Sequence, residues 1–263
     1  MVLGAHVERS EVLAAAETTG SHVVQIFLAA PRTWATPKLR GDEDAIRESG
    51  LLVYAHAPYL VNPASLNPDV RGKSRRAIVE HSHAALAVGA RGLVVHGGHP
   101  TGTGTVEDGI RGWLEVFDGL ELPVPVLVEN TAGGNAAVAR RFDAFARLHD
   151  ALTTAGHRIG ICLDTCHAHA GGEELATACD RLLAFAGRID LVHANDSRDV
   201  FDSGRDRHAN LGDGFCGLDA VAEVVKRAAC PAVVETPGGP EAMRKDVDAL
   251  REHGSVTRGP VAH

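Results

Sequence analysis

The apolar runs of this chain keep ending on side chains that bind metals. Six do so: Val53-Tyr54-Ala55-His56, Leu93-Val94-Val95-His96, Val126-Leu127-Val128-Glu129, Ile161-Cys162-Leu163-Asp164 with His167 just beyond, Leu191-Val192-His193, and Val233-Val234-Glu235. The loop after the Leu191 run adds Asp206-Arg207-His208. A chain built this way must bring the ends of several strands to one place, and a closed barrel does that by construction.

The runs are short and rich in Val, Ile and Leu, which predicts strands over roughly 2–7, 22–28, 52–57, 92–96, 125–129, 159–163, 189–194 and 231–235. Helices are predicted between them over roughly 10–19, 41–49, 73–89, 105–118, 136–155, 173–187, 218–229 and 240–252. In the third of these, Ile78, Ala85 and Val88 share a face while Arg75, Arg76 and Glu80 stay wet. Apolar strands alternating with amphipathic helices read as a parallel sheet covered on its outer surface. The fold class is therefore α/β, a (β/α)8 TIM barrel with a metal site at the C-terminal ends of the strands. One barrel domain is expected over 1–253, followed by a loose tail over 254–263.

Composition supports one large core: 263 residues, of which 44% are hydrophobic and 23% charged. The opening residues meet charge at Glu8 before any long apolar stretch forms, and no later run reaches the roughly 18 apolar residues of a membrane span. A cytoplasmic location follows as the expectation. The five cysteines contain no Cys-x-x-Cys pair and read as reduced thiols rather than as a disulfide framework or a thiolate zinc site.

Neutral imidazoles mixed with carboxylates suit Zn²⁺, and also Mn²⁺ or Fe²⁺. In Asp206-Arg207-His208 an extended backbone puts Asp206 and His208 on one side and Arg207 on the other, so one loop can supply two ligands. Two histidines, His96 and His99, compete for one strand-end role, and His96 is favoured because it ends the strand directly. His6 reads equally as a hydrogen-bond partner of a ligand carboxylate and as a satisfied core histidine. Asn195, Asp196 and Ser197 read as partners of the ligands rather than as catalysts.

The motifs together resemble the endonuclease IV, or deoxyribonuclease IV, family of apurinic/apyrimidinic endonucleases. The matching blocks are Gly4-Ala5-His6-Val7, His56-Ala57-Pro58-Tyr59-Leu60-Val61-Asn62, Val128-Glu129-Asn130-Thr131-Ala132-Gly133, Cys162-Leu163-Asp164-Thr165-Cys166-His167-Ala168, His193-Ala194-Asn195-Asp196-Ser197, Asp206-Arg207-His208 and Glu235-Thr236-Pro237. The resemblance implies three zinc ions. The first would take His56, His96 and Glu129. The second would share Glu129 and add Asp164, His193 and Glu235, and the third would take His167, Asp206 and His208. It also implies hydrolysis of the phosphodiester 5′ to an abasic site in double-stranded DNA, with Glu129 essential to turnover. Arg32, Tyr59 and Leu60 match the residues that enter the duplex at the lesion.

A formal charge of −8 argues against a nucleic-acid partner by itself. Three divalent ions would turn a local charge of about −4, from Glu129, Asp164, Asp206 and Glu235, into about +2, which suits a phosphate. The chain departs from the family where Gly134-Asn135 replaces Gln-Gly, and where the Gly-Gly that often follows the opening motif is missing. A monomer is expected, since a duplex needs open access. Two other classes compete: a divalent-metal sugar isomerase or epimerase on a related barrel, to which His56, His96, His167, Asp206 and His208 would be surplus, and a lesion-binding protein without turnover.

Overall fold

The structure, a computed structural model, describes residues 1–255. Eight parallel strands close into a barrel: β1 (Leu3–His6), β2 (Val23–Phe27), β3 (Leu52–His56), β4 (Leu93–His96), β5 (Val126–Glu129), β6 (Ile159–Asp164), β7 (Leu191–His193) and β10 (Ala232–Val234). They pair in the order β1-β10-β7-β6-β5-β4-β3-β2, and β1 meets both β10 and β2. A separate antiparallel pair, β8 (Asp196–Ser197) and β9 (His208–Ala209), lies after β7. Around the barrel run α1 (Val12–Thr19), α2 (Glu43–Glu48), α3 (Pro68–Ala87), α4 (Val106–Phe117), α5 (Phe142–Thr154), α7 (Leu175–Ala186), α8 (Leu218–Ala228) and α9 (Pro240–Ser255), with a short α6 (Thr165–Gly171) directly after β6.

Side chains alternate across each strand, and here the alternation produces two layers inside the barrel. The lower layer is apolar: Val23, Tyr54, Val94, Leu127, Cys162, Leu191 and Val233 form one buried cluster. Two residues further along each strand stand Gln25, His56, His96, Glu129, Asp164, His193 and Glu235. On β1 the corresponding pair is Gly4 and His6. An added Cβ at Gly4 would overlap the Val23 carbonyl, so this position keeps β1 and β2 close. The outward-facing strand residues, such as Val95, Val128, Ile161 and Leu163, belong to the larger core shared with the helices. In that core Trp113 of α4 is fully buried and donates from Nε1 to Gly97 O at 2.8 Å.

The predicted elements lie where expected, with differences that have local causes. The third helix starts earlier, at Pro68, because Asn67 accepts a hydrogen bond from Asp69 N at 2.9 Å and Pro68 fits the first helical position. The fifth starts later: residues 136–141 turn instead of coiling, after Gly134 at φ +88°, and Val138 N donates to Gly98 O. Residues 254 and 255, placed in the expected tail, close α9, and the rest of that expected tail lies outside the described residues. All five cysteines are free thiols. Among the described residues no helix is long and apolar enough to cross a membrane.

Candidate metal centre

Strand register explains why the polar layer converges. His96 is paired with Glu129, Asp164 with His193, and Val233 with His193, so neighbouring strands deliver their last inward side chains at nearly one level. Asp164 also caps α6, its Oδ1 accepting from His167 N at 2.6 Å, and this turn sets His167 above the strand-end residues. The β8–β9 pair brings His208 back over the mouth, with Asp206 just before it.

All nine side chains singled out as ligands come together in three groups, within each of which the donor atoms lie no more than 4.8 Å apart: His56, His96 and Glu129; Glu129, Asp164, His193 and Glu235; His167, Asp206 and His208. Glu129 is central. Its Oε2 stands 3.1 Å from His56 Nε2 and 3.2 Å from His96 Nε2, while its Oε1 stands 3.1 Å from His167 Nδ1 and 3.2 Å from His193 Nδ1. One carboxylate thus presents its two oxygens to two different pairs of imidazoles. Asp164, Cys166 and His208 form a fourth group that the sequence did not suggest. Burial, together with the neighbouring Asp164, pushes the Cys166 thiol up to about 12. His99 is exposed, belongs to none of these groups, and holds Asn62 through its backbone.

The surrounding hydrogen bonds orient the rings. His56 Nδ1 donates to Ala57 O at 2.7 Å, which turns Nε2 toward Glu129 Oε2. His193 Nε2 donates to Gln25 Oε1 at 2.8 Å, leaving Nδ1 between Glu129 and Glu235. Gln25 Nε2 in turn donates to Glu235 Oε1 at 2.7 Å, and His6 Nδ1 lies 2.8 Å from the same oxygen. Asn195 Nδ2 donates to Asp164 Oδ2, and its Oδ1 accepts from Glu235 N, both at 2.8 Å. Such outer partners fix ligand orientation and basicity. Gln25 does not stand out in the sequence because its run continues to Phe27 and Leu28. The available signal is its place two residues beyond an inward valine.

The electrostatics of this cluster call for cations. Burial disfavours ionisation of Glu129, yet His96, His193 and His167 hold its carboxyl well below the ordinary range. Burial also opposes charge on His167, and Asp164 and Asp206 outweigh it, raising the imidazole well above its usual value. His208 is pushed up to about 9, because Asp206 and Asp164 overcome its desolvation. These rings therefore act as substitute cations for buried carboxylates. His167 Nε2 and His208 Nε2 are buried without a hydrogen-bond partner among the described residues, yet they stand 3.0 and 3.2 Å from Asp206 Oδ1. A buried donor set left unsatisfied in this way fits a metal site.

At the mouth, Tyr59 and Leu60 are exposed, and Tyr59 stacks on His96 with ring centroids 5.8 Å apart. Tyr59 N donates to Pro31 O, which ties this loop to the one bearing exposed Arg32.

The barrel and its strand-end donor set define a protein of the xylose isomerase-like TIM barrel class, and the model of the family with that description matches residues 13–253. The chain is 49% identical to the probable endonuclease 4 of Mycobacterium leprae (strain Br4923) over 97% of its own length and 100% of that protein. It is also 49% identical to the probable endonuclease 4 of Mycobacterium tuberculosis (strain CDC 1551 / Oshkosh), over 96% of this chain and 98% of the relative. The crystal structure of endonuclease IV from Thermus thermophilus superposes with a TM-score of 0.81 at 30% identity, covering 96% of this chain and 98% of that one. A D-tagatose 3-epimerase-like protein shares the fold with a TM-score of 0.76, at 17% identity. The chain belongs to the endonuclease IV family of metal-dependent AP endonucleases.

Proposed function

We propose that this protein incises double-stranded DNA at abasic sites by hydrolysing the phosphodiester on the 5′ side, leaving a 3′-hydroxyl and a 5′-deoxyribose phosphate. The observation that carries the reading is the division of Glu129 between two pairs of imidazoles, within a cluster that has donors for three ions. His56, His96 and Glu129 would hold one ion. Glu129, Asp164, His193 and Glu235 would hold a second, and His167, Asp206 and His208 a third. The mixture of imidazole and carboxylate suits Zn²⁺, with Mn²⁺ or Fe²⁺ as substitutes at individual sites. Bound divalent ions supply Lewis acidity and a nucleophilic water near neutral pH.

The chain's own groups set the stage for that chemistry. Glu129 fixes the spacing of the first two donor groups, and Gln25 and Asn195 hold His193, Asp164 and Glu235 in orientation. Tyr59 and Leu60 would enter the duplex from the rim, with Arg32 beside them. Wedging costs least where a base is already missing, because little stacking is lost. The mouth of the barrel, open to a duplex, suits a monomer acting on DNA. A sugar isomerase or epimerase would need only Glu129, Asp164, His193 and Glu235. The other five donors, packed against the same carboxylates, disfavour it.

The test is incubation with a duplex containing one abasic site, before and after prolonged chelation and again after Zn²⁺ is restored. The expected result is a single nick 5′ to the lesion, lost with the metal and recovered with it. An intact duplex in the presence of fully metallated protein contradicts the proposal.

A further inference from the structure

The loop between β2 and α2 carries an unusual charge balance. Over residues 31–41 it contains Arg32, Lys38 and Arg40 and no acidic residue, in a chain whose net charge is −8. None of the three makes an ion pair among the described residues. Trp34 and Leu39 are exposed between them.

The acidic residues that follow are already engaged. Arg9, only 6% exposed, donates from Nη1 and Nη2 to both oxygens of Asp42 at 2.6 Å, and from Nη2 to Glu43 Oε1 at 3.0 Å. Glu43 in turn accepts from Arg40 N at 2.7 Å and from Gly41 N at 2.9 Å. This latch ties both carboxylates to one guanidinium, leaving the triad with a single net negative charge, and pins the Arg40 backbone; Asp42 feels the Arg40 charge, yet the Arg40 guanidinium makes no hydrogen bond or ion pair among the described residues. Arg40 lines a cavity of about 570 Å³ together with Tyr59, His208, Glu235, Glu8 and Glu11. Arg40 is the lining cation not bound to an acid, since Arg9 is consumed by the latch.

We propose that Arg40 is a DNA-positioning residue that holds a backbone phosphate of the substrate strand in this cavity, beside the metal centre, and that the Arg9–Asp42–Glu43 latch presents it. The inference rests on the reading of the protein as a DNA endonuclease. A planar, permanently charged donor on a fixed support suits a phosphate oxygen pair.

The test compares wild type, R40A and R40K, all fully metallated, binding a duplex with one tetrahydrofuran abasic residue and an uncleavable methylenephosphonate at the scissile position. Affinity is measured against salt concentration. For R40A, affinity at low salt should fall about tenfold, and the slope of log K against log salt should become less negative by about 0.9, the value for one lost phosphate contact. R40K should keep the wild-type slope. A merely structural role would lower affinity without moving the slope. R40Q gives the same reading should R40A lower metal content. An unchanged slope in a wild-type background that nicks abasic DNA overturns this proposal alone. A wild type that neither binds nor nicks such DNA overturns the endonuclease reading and this proposal with it.

Discussion

The two inner layers of the barrel are built from the same strands, only two residues apart, and they obey opposite rules. In the lower layer Leu127, Cys162, Leu191 and Val233 fill space within one buried apolar cluster. In the upper layer Glu129, Asp164 and His193 are equally inaccessible to water, yet they are the polar groups that a buried site accepts least readily. Burial is thus not what separates core from site. The lower layer satisfies itself, whereas the upper layer sets buried carboxylates against imidazoles, and just above it His167 Nε2 and His208 Nε2 have no hydrogen-bond partner among the described residues.

Substitutions at matched positions should break this contrast in opposite ways. The largest effect belongs to Glu129→Ala, which removes the oxygens between four imidazoles. Steady-state incision of abasic duplex should fall by several kcal/mol of transition-state stabilisation, roughly a thousandfold or more. Retention of substantial nicking would show that the carboxylate is dispensable. Two residues earlier, Leu127→Ala should lower unfolding free energy by about 2–5 kcal/mol in a denaturant titration through the cavity it leaves. Activity per folded, metallated molecule should be nearly unchanged, and a selective loss of activity without loss of stability would erase the distinction between the layers.

Gln25→Ala sharpens the comparison, because Gln25 belongs to the polar layer without being a metal donor in this account. Loss of its bonds to His193 and Glu235 should weaken metal retention by about 10–100-fold, read by metal content after dialysis against a weak chelator. Wild-type retention would make Gln25 a bystander. An effect of similar size, on a different quantity, is expected at the rim. Tyr59→Ala combined with Leu60→Ala should weaken binding to abasic duplex by about 1–3 kcal/mol, the scale of aromatic–base stacking, while metal content stays at the wild-type level. Equal affinity for the variant would remove these residues from DNA recognition.

The alternation of strands and helices is legible because apolar runs end abruptly at polar side chains and Gly, Asn and Asp punctuate the turns. The nine donors stand out for the same reason: six mark the ends of strands, and the rest cluster in two short motifs. What stays hidden depends on three-dimensional closure. The α6 helix begins directly after the residue that ends β6, so Asp164 serves strand, cap and donor set at once, and no loop signal separates the two elements. The β8–β9 pair has only two residues in each strand, too few for any periodicity to show. Residues 136–141 have helix-forming composition but are held as turns by bonds to distant backbone, including Gly98 O. Gln25 and Asn195 acquire meaning only once the barrel sets them beside His193 and Asp164.

The central claim is that nine side chains from distant parts of the chain share one set of cations. It is tested most directly by elemental analysis of the purified, folded protein after equilibration with Zn²⁺ and removal of excess. The account predicts three ions per chain, falling when Glu129 is replaced. A chain that stays folded and incises abasic DNA while holding no more than one ion would contradict it.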